Sequence, residues 1–324
     1  MSIVRIENLT KLFPIHKSFA GRAYVHAVDG VNLDIEEGET FGLVGESGSG
    51  KSTLGRCILR LIEPTSGHIW FDGRELTVIR GEVLRQTRLR MQIVFQNPIA
   101  SLDPRMRVGQ AIAEPLRVHR RLTSQDARNA VSELLRRVGL NPEVAESYPH
   151  ELSGGQCQRI AIARALALEP KFIVLDEPTS SLDVSVQAQI VNLLKELQKD
   201  LGLTYLFISH DLALVSYLAD RVGVMYLGKL MEVGGAVDVL RDGQHPYTIA
   251  LRNAVPLPDP GRERAHLPLK GEIPSALEPP SGCRFRTRCP WAQERCTKEE
   301  APLRQVRKTW VACHFVEMIS EEVT

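Results

Sequence analysis

The stretch GESGSGKST at 45–53 carries the chemistry that is easiest to name. It fits the phosphate-loop spacing of glycine, four residues, glycine, lysine and a hydroxyl. Gly45, Ser47, Gly48, Ser49 and Gly50 form a turn in which Gly48 and Gly50 let the backbone curl, so that successive N–H groups converge on phosphate oxygens. Lys51 can reach the β and γ phosphates of a nucleotide, the Ser52 hydroxyl can coordinate magnesium, and Thr53 continues the helix that opens there. FIVLDE at 172–177 supplies carboxylates: Asp176 is placed to hold a magnesium shell and Glu177 to polarise an attacking water. ELSGGQ at 151–156 gives a serine in an N-cap context followed by glycines. Ser153 with the amides of Gly154 and Gly155 makes a second anion-binding helix start. One nucleotide does not need two such starts in one subunit, so the second suits a nucleotide held mainly by another subunit. Taken singly, these stretches have plainer readings: a glycine turn, a solvated strand end, a capped surface helix. Their company in one chain argues against those readings.

The elements around these residues are those the chemistry requires. Alternation at 3–8 and 31–35 predicts half-buried strands, and TFGLV at 40–44 a short buried strand leading into the phosphate loop. The following helix shows Leu54, Ile58 and Leu61 at helical spacing until Pro64. From 85 to 165 the text is mainly helical, with Ser124 as an N-cap and Gly139 as a helix-ending glycine. The apolar runs at 171–178 and 203–211 read as buried parallel strands. Between them a helix places Val186, Ile190, Leu193, Leu197 and Leu201 on one face and stops at Gly202. Strands alternating with helices predict an α/β fold whose ligands sit at strand C-terminal ends. Beyond residue 254 the chain turns proline-rich, as in a linker or an irregular extension.

The 324 residues allow a large core plus an appendage, and 43% hydrophobic with 24% charged residues is ordinary for a soluble chain. A net charge of +1 gives no global basic field and so argues against nucleic acid as a partner. The N-terminus lacks the pattern of a signal peptide, and no apolar run approaches the ~20 residues that span a bilayer. A cytosolic chain with reduced thiols is expected.

The order of phosphate loop, FQNP (95–98), LSGGQ, LDEP, SSLD (180–183) and ISHD (208–211) resembles the ATP-binding subunit of ABC transporters. That resemblance implies the ABC-type nucleotide-binding fold: a RecA-like parallel core, an antiparallel β subdomain and a helical subdomain over 90–165, within an ATPase domain at 1–250. It implies ATP and Mg2+ as ligands and a head-to-tail ATPase pair with each ATP between one phosphate loop and the partner's LSGGQ. Gln96 would then join Ser52 and Asp176 around magnesium and sense the attacking water. Ser153, Gly155 and Gln156 would touch the partner's ATP, Asp183 would cross the dimer interface, and His210 would contact the γ-phosphate. For the adenine-stacking aromatic, Phe13 matches best and Tyr24 second, with a core phenylalanine as the plain alternative. Ser181 stands where alanine is usual. Other ABC-type ATPases, which serve DNA repair, chromosomes and ribosomes, fit poorly. Only about a hundred residues separate the phosphate loop from LSGGQ, without sustained heptads.

Finer stretches, including IVFQNPIASLDPRMRVGQAIAEPL, YPHELSGGQ, HPYT and GEIPSALEPPSGCRFRTRC, resemble the dipeptide/oligopeptide importer group and its F-type ATPase subunit. The group implies a second, D-type ATPase, two transmembrane permeases and an extracytoplasmic solute-binding protein, with the chain peripheral on the cytoplasmic face of the inner membrane. Nickel, glutathione or oligosaccharide cargo stays open within it. Cys283, Cys289, Cys296 and Cys313 crowd into the extension at 251–324. Their intervals lack the close pairs of a structural zinc site, whereas four thiolates can hold a [4Fe–4S] cluster, which the group's resemblance also implies. Arg284, Arg286, Arg288 and Arg295 could offset the charge of that cluster. Zinc with His314 as a swapped ligand, or four free thiols, remain as alternatives. Cys57 and Cys157 read as small packing residues.

Overall fold

A computed structural model describes residues 2–17, 21–120, 122–254 and 271–323. Most of the proline-rich stretch after 254 lies outside them. The described strands are β1 (Ser2–Lys17), β2 (Gly21–Glu36), β3 (Thr40–Val44), β4 (Ser66–Phe71), β5 (Arg74–Glu75), β6 (Met91–Val94), β7 (Phe172–Asp176), β8 (Thr204–Ile208), β9 (Arg221–Tyr226), β10 (Lys229–Gly235), β11 (Arg304–Val306) and β12 (Thr309–Val311). The chain divides into two compact units, one of residues 1–35, 41–77 and 210–324, the other of 36–40 and 78–209.

In the first unit an antiparallel sheet runs β2-β1-β4-β5. Val4 faces Phe71 and Ile6 faces Ile69 across β1 and β4, and these side chains are buried. In β2 the alternation is strict: Val31, Leu33 and Ile35 point inward while Asn32 and Asp34 are exposed, as a one-sided sheet demands. Both strands run well beyond the apolar alternation that announces them. A second set of strands pairs β3 with β9 in parallel and β9 with β10 antiparallel. The C-terminal extension is less irregular than expected, because β12 pairs with β10 and β11 with β12. Two three-residue strands are too short to show a period; β12 is ordered by its pairing with β10, and β11 by its pairing with β12.

The helix after the phosphate loop is Lys51–Ile58. Leu54 and Ile58 are buried as expected, but Leu61 is not part of that face and is 50% exposed. Arg60 explains the early stop. It adopts a left-handed φ of 54° and its guanidinium is drawn inward to the carbonyl of Leu76, which ends the helix before Leu61.

In the second unit β7 lies between β6 and β8, all parallel, with Val174 beside Ile93 and Leu206. Helices Gly81–Leu89, Val108–Arg120, Ser124–Arg137, Gly154–Leu166 and Val184–Leu201 accompany it. Thr123, not Ser124, caps the third of these, accepting the Asp126 N–H at 3.2 Å, and Gly139 follows its end with φ 71°. The helix Val184–Leu201 buries Ile190, Leu193 and Leu197 and closes on Gly202 at φ 63°, while the expected Leu201 is exposed at its last turn. Among the described residues no helix is long and apolar enough to cross a membrane.

Candidate active site

The phosphate loop leaves β3 and feeds directly into the helix Lys51–Ile58. Gly50 is the helix N-cap, with φ 103°, and a Cβ there would run into the carbonyl oxygen of Ala27 on β2. Only glycine satisfies both demands. The first helical turn carries no acidic residue to oppose an incoming anion. Lys51 is 4% exposed, and its ammonium donates to the carbonyls of Gly45 at 2.7 Å and Glu46 at 3.0 Å and to Ser49 Oγ at 3.3 Å. The loop is therefore wound around its lysine. Ser47 and Gly48 are exposed on the outside of the turn, and Ser52 and Thr53 are half-buried behind it.

In the second unit β7 ends on Asp176, which is 2% exposed. Glu177 follows with a left-handed φ of 49°, uncommon for a residue with a side chain. Its N–H donates to the Ile208 carbonyl at the end of β8, so the turn is held by the neighbouring strand. The side-chain amide of Gln96 donates to Glu177 Oε2 at 2.9 Å. The structure thus brings together two candidate residues 81 positions apart in sequence. The Gln96 amide oxygen and the Asp176 carboxylate in this unit, and the Ser52 hydroxyl in the other, are each of the hard-donor type that magnesium takes.

Ser153 caps the helix Gly154–Leu166, accepting from the Gln156 N–H at 3.3 Å, and Gln156 returns the bond by accepting from the Ser153 N–H at 2.9 Å. Ser153 itself is exposed, with Gly154, Gly155 and Gln156 half-buried. Asp183 caps the helix Val184–Leu201 by accepting the Val186 N–H at 3.0 Å. The hydrogen bond from Ser185, with that N–H, holds its carboxyl below the usual carboxylate range. His210 is exposed just past β8, next to Asp211, which caps the following helix. Phe13 is half-exposed on β1 rather than a core residue, with the Lys11 ammonium 4.9 Å from its ring centre, and Tyr24 is exposed on β2.

The cysteine segment shows contacts that the sequence does not announce. Arg288 is 7% exposed and donates to both carboxylate oxygens of Glu46, at 2.6 and 3.1 Å. Burial pushes its guanidinium down, but the bonds to Glu46 and Tyr226 outweigh that and hold it above its ordinary value. Arg284, equally buried, pairs with Asp29 on β2. Arg286 donates to the Ser281 carbonyl and Arg295 to Glu299. The arginines expected to offset a cluster thus have other partners, because carboxylates and a carbonyl lie within reach of each guanidinium. The thiols do lie close enough to feel one another. Desolvation pushes Cys289 up to about 12 and Cys313 to about 11, and neighbouring cysteines add to both shifts. Even so, among the described residues no group of three or more His, Cys, Asp or Glu side chains is arranged to hold a metal ion. Cys57 and Cys157 are fully buried packing residues, as expected.

Known proteins place this geometry. The ABC transporter family matches residues 28–180, and the oligopeptide/dipeptide transporter C-terminal region matches residues 231–296. A putative oligopeptide transport ATP-binding protein of Bacillus subtilis strain 168, YkfD, is 52% identical over 305 residues, covering 93% of each chain. The oligopeptide transport ATP-binding protein OppF of Escherichia coli K12 is 52% identical over 290 residues, 89% of this chain and 87% of its own. Among solved structures, the dimeric post-hydrolysis state of the ATP-binding cassette MJ0796 with ADP and Pi superposes with a TM-score of 0.65. It is 32% identical and covers 72% of this chain and 98% of that one. The chain belongs to the ATP-binding proteins of ABC transporters, and its fold is that of an ABC ATPase.

Proposed function

We propose that this chain is the ATP-binding and hydrolysing subunit of an importer for di- or oligopeptides. The relatives above, named for oligopeptide transport and similar over nearly their whole length, support the cargo class. The observation that carries the hydrolytic role is the Gln96 amide donating to Glu177 Oε2. It orients a carboxylate at a strand end so that Glu177 can accept a proton from a water attacking the γ-phosphate. The loop amides and Lys51 hold the β and γ phosphates, and His210 contacts the γ-phosphate. Ser52, Gln96 and Asp176 are the residues that would hold magnesium, which when bound would offset the negative charge of the phosphates. Phe13 stacks on adenine. Ser153, Gly154, Gly155 and Gln156 serve the ATP of the facing subunit in a head-to-tail pair, and Asp183 crosses the interface of that pair.

The partners in this reading are a D-type paralogue, two permeases and an extracytoplasmic solute-binding protein, with the chain peripheral at the cytoplasmic face of the membrane. The ATPase domain spans 1–250, and 251–324 form an extension. In the purified transporter, Glu177→Gln is expected to keep ATP binding and to lose turnover by at least about a hundredfold, as for loss of a general base. Hydrolysis at the parent rate would remove Glu177 from that role.

For the four cysteines we keep a [4Fe–4S] cluster as the proposed occupant. What supports it is the donor set itself, four mutually interacting thiols in a small segment with little apolar core of its own. Anaerobic purification with iron and sulfide analysis is expected to find about four of each per chain, the content of such a cluster. A colourless, iron-free protein with an intact extension overturns this reading.

A further inference from the structure

We infer that the cysteine-bearing extension braces the phosphate loop, with Arg288 as a positioning residue that neutralises and pins Glu46 so that the loop can accept a polyphosphate. The inference rests on the nucleotide reading of that loop and adds a group from far along the chain to it.

Glu46 is an acid within a loop built to bind an anion, second in GESGSGKST. An unanswered carboxylate there would repel the phosphates that the amides and Lys51 attract. The structure holds Glu46 at three points. Its N–H donates to Tyr247 Oη at 2.8 Å, its carbonyl accepts from Lys51 at 3.0 Å, and its carboxylate takes the two-pronged bond from Arg288, 242 residues away. A planar guanidinium suits this two-point grip in a way that an ammonium does not. Arg288 is itself fixed. Its N–H donates to the Phe285 carbonyl at 3.0 Å, and the Phe285 ring packs 5.3 Å from both Tyr226 and Tyr247. A second strut stands beside the first: Arg284 pairs with Asp29, and the His26 N–H donates to the Ala276 carbonyl at 2.9 Å. These contacts fall on the β2 segment that also carries Ala27, against whose carbonyl Gly50 is closely packed. The extension therefore grips the loop through its acidic residue and also through the strand on which its last glycine rests.

The test reads the dissociation constant of Mg·ATP by calorimetry on the full chain, and KM and kcat by phosphate release from the purified transporter that carries it. Arg288→Met is expected to raise Kd and KM together by about tenfold while kcat at saturating ATP stays within about twofold, since the change acts on binding and not on the hydrolytic step. Adding Glu46→Gln to Arg288→Met is expected to recover most of the lost affinity, because the bare carboxylate is gone. Arg288→Lys, which keeps the charge without the fork, is expected to fall between parent and Arg288→Met, and it carries the comparison if Arg288→Met does not fold. Lys298→Gln, which removes one exposed charge from the same extension, is expected to leave Kd unchanged. An affinity for Arg288→Met within about twofold of the parent overturns the brace, as does a double variant no better than the single one. A parent chain that bound no ATP would instead overturn the nucleotide reading, and the brace with it.

Discussion

Gly155 shows how a residue can serve two masters. In LSGGQ its amide lies at the start of the helix that Ser153 caps, but its missing side chain has a separate cause. A Cβ at Gly155 would stand 2.6 Å from Val186 Cγ1, on the first turn of the helix that Asp183 caps. The two helix starts are thereby in close contact at Gly155 and Val186. Gly155→Ala is expected to destabilise the chain by about 1–3 kcal/mol, the usual range for overpacking a tight contact. Val186→Ala in the same chain is expected to return most of that loss, because it removes the methyl in the way. Urea unfolding of the two single variants and the double one checks it. Additive losses would show that the contact is not the reason for the glycine.

At the scale of elements, what was legible in the sequence is what is contiguous. The phosphate loop, the buried strand ending in Asp176 and the capped helix at Ser153 each carry strand, turn and helix signals beside the functional residues, and each lies where those signals put it. Near misses came where neighbours compete for one task. Thr123 and Ser124 are both good caps, and only the bond from the Asp126 N–H decides between them. Leu61 keeps the helical spacing, yet the left-handed turn at Arg60 removes it from the helix. What could not be read is pairing at long range. The run CRFRTRC shows alternating arginines but no hint that Arg284 and Arg288 are buried against Asp29 and Glu46. Nor do RQV and TWV announce themselves as strands, since TWV is stabilised by pairing with the distant β10 and RQV by pairing with TWV. The signal that could have found Arg288 was present but unassigned: an acid inside an anion-binding loop requires a cation from elsewhere.

At the scale of the whole molecule, β10, the turn after it and β12 share buried polar groups, and these link the stability of the chain to pH. Glu232 on β10 accepts from the N–H groups of Gln244 and His245, each at 2.9 Å, and from Thr309 of β12 at 3.1 Å. Burial pushes its carboxyl above the ordinary range. Beside it His245 is 1% exposed and held down to about 3, from 6.5, by burial, with a backbone bond to Ala312 opposing the shift. The Tyr247 N–H donates to His245 Nδ1 at 3.0 Å, which puts the proton of the neutral ring on Nε2. Below pH 6.5 the unfolded chain takes up a proton at this histidine that the folded chain refuses until about pH 3, so stability falls as pH drops through that window. Glu232 acts in the opposite sense above 4.5, because the folded chain keeps its proton longer than the unfolded one, so the histidine's share must be read as a difference. His245→Asn keeps an acceptor where Nδ1 stood and removes the titrating ring. Between pH 6.5 and 5 the parent is expected to lose up to about 2 kcal/mol more unfolding free energy than this variant, at ~1.4 kcal/mol per pH unit. Urea midpoints and slopes at the two pH values give the comparison. Equal losses in parent and variant would mean that His245 accepts its proton in the folded chain, and that the joint between β10 and the extension is open to water.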